Sequence, residues 1–165
     1  MDSVLNMEDH VTSVCRSCYF HLRNIGGIRQ YLDSDTAAQI IHSFITSRLD
    51  YCNSLLYGLP DYLVYRLKKV QNTAVRIITK CNIEDNITPH LKQLHWLPVP
   101  LRINFKILLI TYKIVNGLAP SYLDDLLAPH ELPRELRSTS TGSLKVPRSR
   151  TTSYGSPTGP GWSPR

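Results

Sequence analysis

Apolar residues recur along most of this chain at steps of three and four residues, which is the spacing of one face of an α-helix. Runs with this spacing are separated by short stretches that contain glycine or proline, where helices are expected to end. We therefore predict an all-α bundle of about five to six helices. The predicted helices cover about residues 8–25, 34–57, 61–80, 88–95 and 100–117, with a short one after residue 120.

The ends of three helices carry recognisable signals. Gly26-Gly27 should end the first helix, since glycine tolerates the left-handed conformation that follows many helices. One residue of Asp33–Asp35 should cap the second, because each of these side chains can accept a hydrogen bond from a helix N-terminus. Thr88 should cap the fourth, with Pro89 as its first helical residue. These signals set the expected bounds of the helices.

The stretch Leu101–Gly117 carries apolar side chains around almost its whole circumference when it is drawn as a helix. Its main polar exceptions are Arg102, Lys106 and Lys113, which share one narrow strip. A helix that is apolar nearly all round has to be surrounded by other elements. We therefore predict that this is the central helix, around which the rest of the bundle is arranged.

The composition of the chain changes after Pro129. From Ser138 to Arg165 the residues are mostly Ser, Thr, Gly, Pro and Arg, with very few apolar side chains. Such a segment cannot bury enough apolar surface to offset the entropy lost on ordering. We therefore predict a helical domain over 1–130 and a disordered tail over 131–165.

Length, charge and cysteine content narrow the class of protein. At 165 residues and 42% hydrophobic content, the chain fits one domain with a real core. No apolar run approaches the roughly 18 residues of a membrane span, and the N-terminus lacks the pattern of a secretory signal. Four cysteines without such a signal suggest free thiols in a reducing compartment, nuclear or cytoplasmic. The net charge of +6 is compatible with a polyanionic partner but does not identify one.

Two groups of residues could suggest a buried site in the first two helices. Cys15 and Cys18, with His21 nearby, resemble half of a metal site, but both cysteines lie on an apolar helix face and no second ligand pair completes it. We therefore predict core cysteines, with no metal and no cofactor. Arg48 lies within the apolar stripe of the second helix, so it should be buried with a partner. That partner could be an internal acid or carbonyl, or else a ligand.

The tetrapeptide Tyr122-Leu123-Asp124-Asp125 matches the Tyr-x-Asp-Asp signature of reverse transcriptases, in which paired aspartates hold metal ions. That chemistry needs the aspartates at the tip of a strand-turn-strand unit. Here the tetrapeptide follows Pro120 and looks like the start of a short helix, where acidic residues are expected from the helix dipole. We therefore reject it as a catalytic motif and predict no catalytic residue.

Basic residues form a stripe on the third helix, beside its apolar face. One interpretation is an ordinary solvated face, and the other is a helix edge that follows a phosphate backbone. The sequence alone leaves both open. The candidate nucleic-acid-binding residues are those of this stripe, Arg66, Lys69, Arg76 and Lys80, together with Arg102 and Lys106 of the predicted central helix.

Several segments of the chain carry a family resemblance. In order, SRLDYCNSLL, LHWLPV and NGLAPSYL, within a match of roughly residues 2–150, resemble the C-terminal part of LINE-type non-LTR retrotransposon reverse transcriptases. In that family the corresponding region follows the catalytic palm. It forms the helical thumb and a connecting segment, which hold the template–primer duplex.

The resemblance implies RNA-directed DNA synthesis for the parent protein, with the palm and its aspartates upstream of Met1. This chain is then expected to be a non-catalytic fragment whose partner is an RNA/DNA duplex. Residues Gly155–Arg165 depart from the family pattern, as a degraded element would. The alternative is an all-α remnant that binds no nucleic acid, or one that serves as a protein-interaction module. An active polymerase is excluded as a hypothesis by the missing carboxylates.

Overall fold

The computed structural model describes residues 7–127 and Leu144. Residues 7–127 contain no strand, so the predicted all-α class is confirmed there. Short 3-10 and π segments connect the α-helices. The helices are α1 (Met7–Ile28), α2 (Ser34–Ile41), α3 (Ser47–Asp50), α4 (Asp61–Thr79), α5 (Ile87–Gln93) and α6 (Val99–Val115). The predicted tail over 131–165 and the domain boundary near residue 130 lie outside the described residues, Leu144 apart.

The chain divides into two compact units, Met1–Asn104 and Phe105–Arg165. The first unit contains α1 to α5 and the start of α6, and its core lies around α4. Helix α4 packs against α1, α2 and α5. Seven of its side chains are buried, at Leu63, Leu67, Val70, Gln71, Ala74, Val75 and Ile78.

The prediction that the helix near 100–117 is central is wrong for the described residues, because α4 takes that place. In α6 only Val99 and Ile103 are buried, and both lie in its first two turns. Farther along, Leu108 is 68% exposed and Tyr112 is 60% exposed. An apolar circumference indicates that a helix gains from being covered, but it does not specify which neighbour supplies the cover.

Helices α1 and α4 lie side by side and run in the same direction. The Tyr62 hydroxyl is 3.5 Å from a Glu8 carboxylate oxygen, and one turn later the Arg66 guanidinium donates to the Thr12 hydroxyl at 3.0 Å. Near the other end of both helices, Gly26 faces Ile77. This parallel arrangement brings the N-termini of both helices to the same end of the unit.

The prediction that Gly26-Gly27 ends the first helix is wrong, since α1 continues through both glycines to Ile28. Glycine in a helix interior costs roughly 1 kcal/mol relative to alanine, an amount that tertiary packing can offset. That packing involves the residues that flank Gly26-Gly27, since Ile25 and Arg29 are both buried. Local propensity therefore yields to burial at this position.

Replacing Gly27 by alanine should stabilise the protein by about 0.5–1 kcal/mol, because Gly27 lies in a helix and a Cβ there would meet nothing within 4 Å. Gly117 provides the opposite case. It has equal space, but its φ of +65° is strained for alanine. Gly117→Ala should therefore destabilise. Urea denaturation of both variants checks the pair, and equal signs would contradict the account.

Side-chain caps begin two of the helices. Asp33, one of the three predicted caps of the second helix, accepts a hydrogen bond from the Thr36 N–H at 2.6 Å, and this bond lowers the pKa of Asp33. In α5 the cap is Asn86, whose side chain accepts from the Thr88 N–H at 3.0 Å. The prediction of Thr88 as the cap is therefore wrong by two residues. Pro89 fits either assignment, because the first turn of a helix leaves its N–H groups without intrahelical partners.

A π segment, His42–Thr46, joins α2 to α3. The buried apolar residues along this stretch are four apart, a step that overshoots one α-helical turn by about 40°. The wider π turn absorbs this excess and keeps the buried side chains in line. It also turns Arg48 outward, so the prediction of a buried Arg48 is wrong. The side chains that the π turn keeps in line are Ala37, Ile41, Ile45 and Leu49.

Candidate nucleic-acid interface

Beyond their first turns, α1 and α4 carry positively charged residues and no acidic ones. Residues 10–32 contain three Arg and residues 62–83 contain five Arg or Lys, whereas neither range contains Asp or Glu. The acids of these two helices are Glu8, Asp9 and Asp61, which all stand in the first turns. Because the helices are parallel, these acids gather at one end, and the remaining length of the pair carries positive charge.

A shallow cleft of about 260 Å³ lies between the two helices within this positive region. We call it the α1–α4 cleft. On α1 its residues follow the spacing of one helix face, and on α4 two cations stand three residues apart. The cleft therefore presents three cationic groups and two hydroxyls from two rigid elements. Its lining residues are Thr12, Cys15, Arg16, Tyr19, Arg66 and Lys69.

Two cations of the cleft are held by neighbouring side chains. Arg66 is half-buried and donates to the Thr12 hydroxyl at 3.0 Å. The Lys69 ammonium lies 4.8 Å from the centre of the Tyr65 ring, a cation–π distance. Both contacts restrict long side chains without neutralising their charge. An anion in the cleft would therefore meet positive groups that are already positioned.

The floor of the cleft is neutral. Burial raises the pKa of the Cys15 thiol, and Arg66 opposes that rise only in part. Burial also raises the pKa of Cys18 to about 11, with Cys15 adding to the effect. Both cysteines are buried, as predicted for core residues. The charge of the cleft therefore comes from its arginines and lysine alone.

The free energy of unfolding should fall as the pH rises from about 8.5 through 11. In the unfolded chain the Cys18 thiol ionises near pH 8.5, whereas burial in the folded protein raises its pKa to about 11, so ionisation favours the unfolded state over this range. A Cys18→Ala variant should be less stable at pH 7 and should lose less of its stability over that pH window. Urea denaturation at several pH values measures both effects. Cys52→Ala is the matched control, since it removes a thiol at an exposed position.

Of the predicted binding residues, the structure brings Arg66 and Lys69 together in the cleft. Arg76 lies two to three turns farther along α4, and its guanidinium donates to the carbonyls of Asn82 at 3.2 Å and Ile83 at 2.9 Å. It therefore holds the loop that follows the helix. Lys80 is exposed at the end of α4, where its φ is 55°.

The two candidates from α6 are placed differently. Arg102 donates to the Asp50 carboxylate at 2.9 Å, and its Nε donates to the Leu97 carbonyl at 2.8 Å. These bonds join α6 to the end of α3 and balance the charge of Arg102. Lys106 is exposed and belongs to the second unit. The described contacts therefore group neither residue with the cleft.

Sequence reasoning missed Arg16, whose side chain lines the cleft from α1. The available signal was the absence of acids over residues 10–32, where Arg16 and Arg23 stand seven residues apart on one helix face. Tyr19 was also missed, because its position on the apolar stripe suggested a core residue. It is 41% exposed, and partial burial raises the pKa of its hydroxyl.

Other candidate chemistry is limited in the described part of the chain. Residues 121–126, which include the tetrapeptide Tyr122–Asp125, form a 3-10 helix, in keeping with the helical context predicted for it. Within residues 7–127 no three His, Cys, Asp or Glu side chains come together as metal ligands would. Over the same range, no helix combines the length and the apolarity that crossing a membrane would require.

Comparison with known proteins gives no match to any family model, curated protein or solved structure. The resemblance to LINE-type reverse transcriptases therefore stays a prediction that rests on sequence segments. The function has to be argued from the geometry and charge of the α1–α4 cleft.

Proposed function

We propose that this chain is a non-catalytic nucleic-acid-binding module, and that the α1–α4 cleft binds the phosphate backbone. The observation that carries the proposal is the parallel helix pair, whose own residues beyond the first turns include Arg and Lys but no Asp or Glu. The sequence resemblance supports the same function. In a LINE-type reverse transcriptase, the corresponding thumb would hold the template–primer duplex.

The groups in the cleft suit phosphate chemically. Arg16 and Arg66 carry planar guanidinium groups that can donate two parallel hydrogen bonds to phosphate oxygens. Lys69 contributes a compact point charge, and the hydroxyls of Thr12 and Tyr19 can serve as further donors. Such contacts position a backbone without reading its sequence. We therefore propose binding that is independent of sequence and depends strongly on salt.

A salt titration provides the first part of the test. If Arg16, Arg66 and Lys69 each neutralise one phosphate, the logarithm of the binding constant should fall with the logarithm of the salt concentration, with a slope of about −2 to −3. The double variant Arg16→Glu/Lys69→Glu should weaken binding by at least tenfold at about 0.1 M salt. Fluorescence anisotropy with a labelled oligonucleotide measures both quantities.

The matched control is Lys92→Glu/Lys113→Glu, which makes the same change in net charge at exposed residues that do not line the cleft. We expect this control to bind nearly as tightly as the unchanged protein. Equal losses from both double variants would mean that net charge, and not the cleft, attracts the nucleic acid. A binding constant that does not respond to salt would also contradict the proposal.

A second candidate function is a protein-interaction module, which the exposed face of α6 favours. Exposed apolar residues recur along that helix at steps of four and three, the spacing of a helix that packs against a partner helix. The charge-reversal experiment separates the candidates, because a module of this kind would retain no salt-dependent affinity for nucleic acid. The exposed residues are Leu101, Phe105, Leu108, Tyr112 and Val115.

A further inference from the structure

A cluster of aromatic side chains joins α1 to the π segment His42–Thr46. The rings of His21 and Phe44 are stacked, with centroids 5.0 Å apart and planes 27° apart. The Phe20 ring meets His21 edge-on, at a centroid distance of 5.5 Å. Phe20 is 63% exposed and Phe44 is 46% exposed. We call these three residues the aromatic cluster, and nothing in the function proposed above uses it.

The cluster and the cleft are connected around α1. At about 100° per residue, Tyr19 of the cleft is followed by Phe20 on the outer surface and then by His21. Arg16 and Arg23 lie between the directions of Tyr19 and Phe20, and both arginines are exposed. Positive groups therefore lead from the cleft directly to the exposed rings. On this surface the two arginines lie between the Tyr19 ring and the Phe20 ring.

We propose that this surface binds single-stranded nucleic acid, with phosphates on the cations of the cleft and unpaired bases stacked on the aromatic cluster. The inference rests on the proposed function, since it assigns the form of nucleic acid that the same cleft binds. Proteins that hold unpaired strands combine a positive groove with aromatic side chains on which successive bases stack. Stacking needs only an aromatic face, so the binding would tolerate any sequence.

A duplex would not use the cluster in this way. Its bases are already stacked inside the helix, and a protein surface meets mainly phosphates and groove edges. The exposed faces of Phe20 and Phe44 would then stay in water. An unpaired strand offers both partners at once, because its phosphates match the cations and its bases cover the apolar rings. Charge complementarity and the exposed rings therefore point to the same ligand.

The experiment compares three labelled ligands with the full chain at one salt concentration. They are a 12-nucleotide oligothymidine strand, an abasic strand of the same length and a 12-base-pair duplex. We expect the oligothymidine to bind about 5- to 150-fold more tightly than the abasic strand, the range that stacking of one base supports. The duplex should also bind more weakly than the oligothymidine, although it carries more phosphates.

Variants of the cluster sharpen the comparison. Phe20→Ala should remove most of the difference between oligothymidine and the abasic strand, and Phe20→Trp should keep it, because tryptophan retains a face for stacking. Phe105→Ala is the matched control, since Phe105 is 56% exposed and lies in the second unit. It should bind oligothymidine like the unchanged protein. Phe20 is mostly exposed, so its replacement should leave the fold intact.

The outcomes separate this inference from the function on which it rests. If all three ligands bind alike, and Arg16→Glu/Lys69→Glu weakens all three, the cleft binds phosphate but the assignment to unpaired strands is overturned. If Phe20→Ala leaves the preference for oligothymidine unchanged, the assignment of stacking to the cluster is overturned. If no ligand binds with a salt-dependent affinity, the proposed function fails and this inference fails with it.

Discussion

Replacing Arg29 by methionine should lower the free energy of unfolding by about 3–5 kcal/mol, because several hydrogen bonds from one buried charged group are lost together. Arg29 is only 8% exposed. Its Nε donates to the Ile77 carbonyl and its Nη2 to the Ile78 carbonyl, both at 2.7 Å, while its Nη1 donates to the Leu32 carbonyl. One side chain therefore joins the end of α1 to the end of α4.

The charge of Arg29 is placed where the fold can stabilise it. The last four carbonyls of an α-helix lack intrahelical partners, and together they form the negative end of the helix dipole. The guanidinium occupies that position at the end of α4, and its described hydrogen bonds go to carbonyls and to the Ser34 hydroxyl. Methionine has a similar length but no donor. The substitution would leave the Ile77 and Ile78 carbonyls without the donors that Arg29 supplies.

Urea denaturation, monitored by circular dichroism at 222 nm, measures this loss in the free energy of unfolding. The stability of Arg29→Lys should lie between that of the wild type and that of Arg29→Met. An ammonium keeps the charge but cannot reach three carbonyls, because it lacks the rigid fork of the guanidinium. Arg23→Met is the matched control, because Arg23 lies on α1, the helix that directly precedes Arg29, and is exposed. It should change stability by less than about 0.5 kcal/mol. Equal losses at positions 23 and 29 would contradict the capping role of Arg29.

The periodicity of the sequence predicted the helices more reliably than their ends or neighbours. Helical spacing placed Cys15 and Cys18 on the buried face of α1, where they are found. It could not detect that α1 passes through Gly26-Gly27, because the packing that offsets the cost of glycine comes from residues about 50 positions away. The sequence did not predict the π segment, for a related reason. Its wider turn is required only by the set of side chains that become buried.

The candidate site was predictable to a similar extent. Spacing on one helix correctly placed Arg66 and Lys69 on a common face, but it could not show that Arg16 lies across the cleft. It also could not distinguish cations that line the cleft from those that support the fold. Arg76 and Arg102 carry the same charge as the cleft residues, yet both donate to nearby carbonyls. Those acceptors lie in loops, whose paths a periodic pattern does not encode.

Gln71 shows the same limit within the core, since a glutamine on a helix gives no sign of burial. It is 1% exposed. Its Nε2 donates to the Leu97 carbonyl at 2.8 Å, and its Oε1 accepts from the Val99 N–H at 3.0 Å. The amide of this side chain thus donates one hydrogen bond to the backbone and accepts another, and the two bonds fix the start of α6 against α4. This explains why Val99 is buried in a helix whose only other buried residue is Ile103.

Replacing Gln71 by methionine should therefore destabilise the protein by about 2–4 kcal/mol, mainly through the Val99 N–H, which would be buried without an acceptor. The Leu97 carbonyl would lose less, because it also accepts from Arg102 at 2.8 Å. Gln39→Met, at an exposed position of α2, is the matched control and should have little effect. Urea denaturation compares the two variants.

Gln71→Glu tests the direction of each hydrogen bond. A protonated glutamic acid can accept from the Val99 N–H and donate to the Leu97 carbonyl, whereas the ionised form would oppose that carbonyl with a buried charge. Its pKa in the folded state should therefore lie above the unfolded value of about 4.3, so the deficit in stability relative to wild type should be smallest below that pH and grow as the pH rises. A Gln71→Glu variant whose deficit relative to wild type is equal at pH 4 and pH 7 would contradict the burial of this side chain against the Leu97 carbonyl.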